Sequence, residues 1–261
     1  MLKFKLENLS LESPIERIEK LSSTDHSYQN SVKELAEKED YFRDQMAECG
    51  LDKAVIDKAA DLFSTETLEK MEAQRQKYTD FLTGLGNRFA LMEFIPKLIS
   101  LDRRNNKKSA LLMMDLDHFK SVNDNHGHDA GDVVLRQASE IIRANIRQSD
   151  FLFRYGGEEF IIFLSDTNSD QAKLVADKIR QAFVDNPINI KTTGDQVVAL
   201  HQTISIGCVD ADNLNSTTEN DSQRLSTMIN LADQALYSAK DSGRNQVVDY
   251  KSILLDNQQV S

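Results

Sequence analysis

The sequence predicts a helical N-terminal segment followed by a domain of the α/β or α+β class, with helices over a sheet. Residues 1–78 contain one glycine, Gly50, and one proline, Pro14, and they are rich in residues that favour helices. After residue 79, short apolar runs typical of strands alternate with amphipathic stretches typical of helices. This alternation indicates helices packed on a sheet.

The N-terminal segment predicts three or four short helices. They are expected to begin at Ser13, at about residue 27, near Asp52, and at Thr65 or Thr67. Their apolar positions are sparse for a monomeric core. Some lie in near-heptad phase, interrupted by Arg75: Leu68, Met71, Tyr78 and Leu82. We therefore expect residues 1–78 to form a regulatory domain that assembles the chain as a homodimer.

The rest of the chain predicts a turn-rich hinge and then alternating elements. The hinge covers residues 79–88. The expected elements, in order, are a helix over 88–105, a buried strand over 109–115, a helix over 133–145, a hairpin over 151–164, a helix over 169–183, a strand over 197–209, a helix over 222–241 and a strand over 246–249. The predicted domains are residues 1–78 and 79–250, followed by a C-terminal tail, 251–261.

The composition of the sequence excludes several classes of function. Of the 261 residues, 40% are hydrophobic, which is enough for a packed core. The formal net charge of −11 argues against a general nucleic-acid binder, which would present a basic face. It is compatible with one anionic nucleotide held by a few local cations and metal ions. No apolar run approaches about 18 residues, and no secretory signal is evident, so we expect a soluble cytoplasmic protein that does not bind a membrane.

The two cysteines, Cys49 and Cys208, lie far apart and form no motif. We expect both to be free thiols in a reducing compartment. In the N-terminal segment, His26 is the only soft ligand besides Cys49. A closed zinc site wants four ligands, so metal sensing by this segment is not expected.

A glycine-rich turn is the most informative stretch of the sequence. Residues 154–160 read Arg-Tyr-Gly-Gly-Glu-Glu-Phe and lie between two apolar runs, which predicts a β-hairpin. Two glycines permit unusual backbone angles and let backbone N–H groups approach a phosphate. Because successive strand residues point to opposite faces, Glu158 and Glu159 are expected to do different jobs. The alternative is an ordinary hairpin with surface glutamates.

A second candidate group is the end of the predicted strand over 109–115. If this strand neighbours the hairpin, Asp115 and Glu158 meet at one edge of the sheet. With the backbone carbonyl of Leu116 they would offer the hard oxygen ligands that Mg²⁺ prefers. The alternative for Asp115 is a helix N-cap.

Four further polar residues suit a nucleotide. Asn123 and Asp132 carry groups that can read a guanine edge, although Asp132 could instead cap a helix. Lys240 and Arg244 flank Ser242-Gly243 and could reach a triphosphate. Their alternative is two solvated charges near a helix C-terminus, where cations are favoured.

From about Asp80 to Asp249, roughly two thirds of the chain, the sequence resembles the GGDEF domain of diguanylate cyclases, in the variant with Gly-Gly-Glu-Glu-Phe. The resemblance rests on five motifs in order: Asp-Phe-Leu-Thr-Gly-Leu-Gly-Asn-Arg over 80–88, Asp-Leu-Asp-His-Phe-Lys over 115–120 with Asn123, Gly127-His128 with Gly131-Asp132, the hairpin, and Lys240 with Ser-Gly-Arg-Asn over 242–245. It implies an α+β fold, a βααββαβ palm like that of adenylyl cyclases and some polymerases. It also implies condensation of two GTP molecules into cyclic di-GMP, with release of two pyrophosphates.

The resemblance implies a role for each matching residue. The implied metal ligands, for two Mg²⁺ per GTP site with Mn²⁺ as an alternative, are Asp115, the Leu116 carbonyl and Glu158. The implied substrate contacts are Asn123, Asp132 and His128 for guanine, and Gly156, Gly157, Lys240 and Arg244 for phosphates. Lys120 would steady charge on the transferring phosphate, and Glu159 would accept a proton. Each domain would hold one GTP, so two domains must face each other.

One more motif precedes the hairpin. Arg147-Gln148-Ser149-Asp150 is separated from Gly156 by the five residues 151–155. The family's product-inhibition site is an Arg-x-x-Asp at this spacing, which implies that Arg147 and Asp150 bind cyclic di-GMP. Arginine can bind a guanine edge or a phosphate with two hydrogen bonds.

Two alternatives to an active cyclase follow from these motifs. One is a non-catalytic receptor that binds cyclic di-GMP through Arg147 and Asp150. The other is an interaction module in residues 1–78 that GTP binding regulates. The enzyme is favoured because a receptor has no need of all four of the following residues: Asp115, Lys120, Glu158 and Glu159.

Overall fold

The computed structural model describes Lys53, Asp57 and residues 76–191, 197–211 and 220–259. The chain divides into two units, Met1–Thr79 and Asp80–Ser261. Apart from Lys53 and Asp57, the predicted helices between residues 13 and 75 lie outside the described residues. So do His26, Cys49, and Leu68 and Met71 of the predicted dimer seam.

The second unit is built on a six-stranded sheet and a separate two-stranded ribbon. The strands are β1 (Gly86–Asn87), β2 (Ser109–Leu116), β3 (Phe151–Gly156), β4 (Glu159–Ser165), β5 (Ile188–Lys191), β6 (Val197–Leu200), β7 (Ile204–Asp210) and β8 (Val247–Asp249). The sheet has the order β1-β3-β4-β2-β7-β8, and β5 pairs with β6. Strand β2 runs antiparallel to both β4 and β7, which makes it central.

The helices complete the predicted palm. They are α1 (Arg88–Arg104), α2 (Phe119–His126), α3 (His128–Ala144), α4 (Ser169–Asp185), α5 (Asp221–Asp241) and α6 (Tyr250–Gln259). From β2 to β7 the order is βααββαβ, with the β5–β6 ribbon inserted after α4. The predicted α+β palm is therefore confirmed. None of the helices in the described part of the chain is both long and apolar enough to cross a membrane.

Strand β2 lies in the core of the second unit. All eight residues of β2 are buried, in keeping with its unbroken apolar sequence. Helix α5 lies so close to β7 that a Cβ at Gly207 would come within 2.1 Å of the Ala232 carbonyl oxygen. This close approach brings the C-terminal end of α5, with Lys240, towards the end of β2. Cys208, also on β7, is a buried free thiol as predicted.

Several elements differ from the sequence prediction. Helix α2 was not predicted, because it is short and Phe119 is its only buried residue. Helix α3 begins five residues before the predicted Val133, directly after a turn at Gly127 with φ +84°. The strand predicted over 197–209 is two strands, β6 and β7. The break falls at Gln202, whose side-chain amide donates to the Asp117 carbonyl oxygen at 2.6 Å.

Two further segments have more regular structure than predicted. Strand β5 was missed, since its four residues Ile188–Lys191 give too short an alternation to recognise. The segment 251–261 was predicted as a tail, but most of it belongs to α6, which begins at Tyr250.

Candidate active site

The carboxylates of Asp115 and Glu158 lie close together where β2 ends and β4 begins, as predicted. Strands β2 and β4 are neighbours, and Asp115 is the pairing partner of Glu159, the first residue of β4. The backbone N–H of Leu116 donates to the carbonyl oxygen of Glu158 at 3.4 Å. The end of β2 and the Gly-Gly turn are thus joined directly, as predicted for neighbouring strands.

Glu158 does not follow the strand alternation on which the prediction for the two glutamates rested. It lies in the turn before β4, and the pairing of β3 with β4 shifts register between Arg154 and Gly156. The alternation of faces applies only to residues within a strand. The negative charges of Glu158 and Glu159 consequently act on the same acidic group around Asp115.

The environment of this acidic group raises the pKa values of two of its carboxyls, Asp115 and Glu159. Burial raises the pKa of Asp115, and Glu158 and Asp117 raise it further, while the Lys240 ammonium lowers it without cancelling the rise. The pKa of Glu159 is also raised, first by burial and then by the charge of Asp115. Both carboxyls therefore hold a proton more readily than an exposed carboxyl does.

Lys240 forms an ion pair with Asp115 in this acidic group. Its Nζ lies 2.8 Å from Asp115 Oδ2, with the lysine side chain about one-third exposed and the aspartate 9% exposed. The alternative of a freely solvated charge is therefore wrong for Lys240. Arg244, beyond the end of α5, is exposed. The helix-cap alternative for Asp115 is also wrong, because the residue that caps α2 is His118.

The donor set fits a hard divalent cation. Among the described residues, no group of three or more His, Cys, Asp or Glu side chains is placed to hold a metal ion. The predicted metal ligands include only two side chains, the carboxylates of Asp115 and Glu158, and the third ligand is the backbone carbonyl of Leu116. Buried carboxylate oxygens whose mutual repulsion is only partly offset by Lys240 are suitable ligands for Mg²⁺.

Arg154 holds the Gly-Gly turn in place. Its Nε and Nη2 donate to the Gly157 carbonyl oxygen at 3.0 and 2.8 Å. Its Nη1 donates to both carboxylate oxygens of Asp80, at 3.0 and 3.1 Å. Burial raises the pKa of Asp80, but hydrogen bonds from Thr83 and Arg154 outweigh burial and leave the pKa lowered. The sequence drew attention to the turn but not to this linkage with Asp80.

The predicted guanine-binding residues lie on two successive helices. A Cβ at Gly131 would come within 2.0 Å of Asn123 Oδ1, so the Asn123 side chain of α2 lies directly over the first turn of α3. Asp132 is the next residue of that turn and is half-buried. It is not the cap of α3, which is Gly127. His128 and Lys120 are exposed on α3 and α2.

The Arg-x-x-Asp segment forms a closed turn at the other end of β3. The Arg147 N–H donates to Asp150 Oδ2 at 2.8 Å, and the Asp150 N–H donates to the Arg147 carbonyl oxygen at 3.1 Å. Asp150 is 6% exposed, and burial raises its pKa. Its Oδ1 is buried and has no hydrogen-bond partner within the described part of the chain. About 20 Å of strand separates this turn from the Gly-Gly turn, at roughly 3.3 Å per residue.

Comparison with known proteins identifies the family of the chain. The family model described as "Diguanylate cyclase, GGDEF domain" matches residues 77–246. The chain is 35% identical over 178 residues to diguanylate cyclase DgcP of Pseudomonas aeruginosa, which covers 68% of this chain and 25% of that protein. It is 32% identical over 206 residues to diguanylate cyclase A of Treponema denticola, which covers 78% of this chain and 52% of that protein. The chain thus spans from a quarter to about half of the length of these two relatives.

A solved structure shares the fold. The crystal structure of the coiled coil and GGDEF domain of DgcB from Caulobacter crescentus, in complex with c-di-GMP, aligns with a TM-score of 0.65 and 25% sequence identity. The alignment covers 76% of this chain and 98% of that chain.

The opposite pKa shifts of two aspartates predict opposite effects of neutralising them. The raised pKa of Asp115 contributes stability that is complete below the ordinary carboxyl pKa and is lost as the pH rises through the raised value. The lowered pKa of Asp80 contributes stability that is present above the ordinary value and is lost as the pH falls through the lowered one. At pH 7 we therefore expect Asp115→Asn to melt above the wild type and Asp80→Asn to melt below it.

Thermal unfolding followed by circular dichroism between pH 7 and pH 3 checks this. Both differences should shrink as the pH falls, and the exposed control Asp124→Asn should follow the wild type throughout. An Asp115→Asn protein that melts below the wild type at pH 7 would show that the ion pair with Lys240 outweighs the burial of Asp115.

Proposed function

The chain belongs to the diguanylate cyclase GGDEF domain family, and on that premise we propose that it condenses two GTP molecules into cyclic di-GMP and two pyrophosphates. The observation that carries the proposal is the joining of the Gly-Gly turn to the end of β2, which groups Asp115, Glu158 and Glu159 beside Lys240. A binding module that only recognises a nucleotide would not require two neighbouring carboxyls with raised pKa values, those of Asp115 and Glu159, beside a glycine turn.

The proposed metal ligands are Asp115, Glu158 and the carbonyl of Leu116. Two Mg²⁺ ions, or Mn²⁺ in their place, would orient the attacking 3′-hydroxyl and offset the charge that develops on the transferring phosphate. Asp115 has a fixed position for this role, because its strand is buried on both sides and pairs with β4 and β7.

The proposed phosphate contacts come from both sides of the acidic group. At Gly157 a Cβ would meet nothing within 4 Å, so the turn can approach a phosphate closely. Lys240 and Arg244 approach from the end of α5, and Lys240 already lies against Asp115. Because the side chain of Lys240 is about one-third exposed, its ammonium can turn towards a phosphate.

The proposed guanine contacts are Asn123 and Asp132, with His128 nearby. Support comes from the contact of the Asn123 side chain with Gly131, which brings its amide next to Asp132 on adjoining helices. A carboxylate can accept from the N1–H and amino group of guanine, and an amide can accept and donate on the same edge. These groups would select guanine over adenine.

The proposed proton acceptor is Glu159. A general base works best when its pKa is close to the operating pH. Burial and the charge of Asp115 both raise the pKa of Glu159 in that direction. Lys120, exposed on α2, would steady the charge on the transferring phosphate.

Product inhibition is proposed at Arg147 and Asp150. The supporting observation is the buried Asp150 Oδ1, which has no hydrogen-bond partner among the described residues and still has the capacity to accept one. Arg147 is exposed and free to bind a phosphate or a guanine edge. The likeness to a GGDEF domain that carries c-di-GMP supports the same ligand here.

A homodimer through residues 1–78 is proposed to bring two palms together, in a cytoplasmic protein with a regulatory domain at 1–78 and a cyclase domain at 79–250. Each palm supplies half of the reacting pair, so the rate depends on how often two palms meet. A short linkage raises their effective concentration to about the mM range. The sequence pattern at Leu68, Met71, Tyr78 and Leu82 supports a helix–helix seam.

Turnover tests the metal site. Glu158→Gln removes one negative charge and one metal ligand without changing the shape of the side chain. We expect the rate of cyclic di-GMP formation with GTP and Mg²⁺ to fall by about a hundredfold or more, since metal stabilisation of the transition state amounts to several kcal/mol. The matched control is Glu140→Gln on the exposed side of α3, which should retain the wild-type rate.

Two outcomes would redirect the proposal. A near wild-type rate for Glu158→Gln would contradict its assignment as a metal ligand. A wild-type protein that binds cyclic di-GMP but forms none from GTP and Mg²⁺ would support the receptor alternative instead.

Product inhibition is tested by Arg147→Ala. We expect added cyclic di-GMP to inhibit the variant about tenfold less strongly, because a charge-assisted contact is lost. The initial rate should stay close to that of the wild type, since Arg147 lies at the far end of β3. Gln148→Ala, in the same turn, is the control. Progress curves with and without added product decide the matter, and equal inhibition of Arg147→Ala and wild type would refute the assignment.

Assembly is tested by removing residues 1–78. We expect a monomer whose specific activity falls steeply on dilution, whereas the specific activity of the full chain should change little. Sedimentation paired with activity over a range of protein concentrations provides the measurement. A truncated chain that stays dimeric, or whose specific activity does not depend on concentration, would show that this segment is not what joins the two palms.

A further inference from the structure

Asp117 is a buried carboxylate that joins three separate parts of the fold. It follows β2, two residues after Asp115, and is 4% exposed. Its Oδ1 accepts from Ser205 Oγ at 2.7 Å, and its Oδ2 accepts from Thr203 Oγ1 at 2.7 Å. Oδ2 also accepts from the backbone N–H of Asn245 at 3.0 Å. All three donors are uncharged, and a buried carboxylate needs such bonds to offset its lost hydration.

The third donor belongs to the loop between α5 and β8, residues 242–246, which we call the Arg244 loop. Its backbone is strained. Arg244 has φ +65° and Asn245 has φ +46°, so two successive residues other than glycine lie in the left-handed region. Arginine has no local compensation for this conformation, and such strain persists only where surrounding contacts impose it.

The contacts that impose it can be identified. The Arg244 N–H donates to the Ala239 carbonyl oxygen at 3.0 Å, which fixes the loop to the end of α5. The Ile206 N–H donates to the Gln246 carbonyl oxygen at 3.0 Å, which fixes the other end to β7. Between these anchors, the Asn245 N–H is bound by Asp117. Asp117 therefore ties the middle of the Arg244 loop to the end of β2, where Asp115 begins the candidate metal site.

We propose that Asp117 is a positioning residue, which holds the Arg244 loop so that Arg244 faces the phosphates of a nucleotide bound at Asp115. This inference rests on the proposed function. Asp117 is buried beneath the loop and acts through Arg244 rather than on the substrate. Without its acceptor the loop can relax from its left-handed conformation, and the arginine then loses its fixed position relative to Asp115.

Equilibrium binding of a non-hydrolysable GTP analogue to the full chain, with Mg²⁺, tests the proposal. Asp117→Ala should weaken binding about tenfold or more, the effect of losing one charge-assisted hydrogen bond to phosphate. Asp117→Asn should restore binding to within about threefold, since its amide oxygen can still accept from Asn245. The matched control is Ser205→Ala, which removes the donor to Oδ1 and leaves the Asn245 bond intact.

Ser205→Ala separates positioning from general stability. It should lower the melting temperature and leave the affinity for the analogue within about threefold of the wild type. If Ser205→Ala weakens binding as much as Asp117→Ala, or if Asp117→Ala binds like the wild type, Asp117 does not position Arg244.

Hydrogen exchange of the ligand-free wild type gives a readout that depends on neither nucleotide nor turnover. The Asn245 amide should be protected, and Ser205→Ala should keep it protected. Exchange at the rate of an exposed loop would overturn the proposal even if Asp117→Ala fails to fold. If the wild type forms no cyclic di-GMP, the proposed function fails, while exchange at Asn245 still shows whether Asp117 holds the loop.

Discussion

The geometry of the candidate site depends on the guanidinium of Arg154. One side chain binds the carbonyl of Gly157 through two nitrogens and the carboxylate of Asp80 through the third. Both partners of the ion pair are largely buried, at 13% and 16% side-chain exposure, so solvent screens it less than a surface pair. The turn that carries Glu158 is thereby fixed to the first residue of its unit, and any shift of Asp80 acts on the turn through a single rigid side chain.

The site is electrostatically costly to the folded protein. Asp115, Glu158 and Glu159 repel one another at a partly buried edge, and Lys240 offsets this only in part, as the raised pKa values of Asp115 and Glu159 indicate. Evenly paired charges would be more stable but would leave no attraction for a further cation. A divalent ion bound by these carboxylate oxygens would relieve the excess of negative charge.

The sequence predicted the parts of the fold that local patterns determine. The apolar run of β2, the Gly-Gly turn and the helical patterns of α1, α4 and α5 are all local, and these three helices have bounds within two residues of those predicted. The proximity of Asp115 and Glu158 was predicted once β2 and the hairpin were taken as neighbours, but the residue that pairs with Asp115 in the sheet is Glu159. Helix α2 escaped prediction because its stability comes from contact with α3, where Asn123 lies over Gly131, rather than from an apolar face of its own.

The contacts at the site that the sequence did not predict share one physical cause. In each of them, the groups that support one another lie far apart along the chain. Asp117 meets Asn245 across 128 positions, and Arg154 meets Asp80 across 74. The periodic patterns of apolar residues in the sequence do not predict such contacts. Two of the groups proposed to touch the nucleotide, Arg244 and Gly157, are exposed, whereas the carboxylate and the guanidinium that hold them are mostly buried. Sequence motifs identify the exposed groups by their chemistry, but only the fold shows that each is held from beneath by a polar side chain from another element. Because these supports are hydrogen bonds within the protein itself, both groups are held by contacts that do not involve a nucleotide.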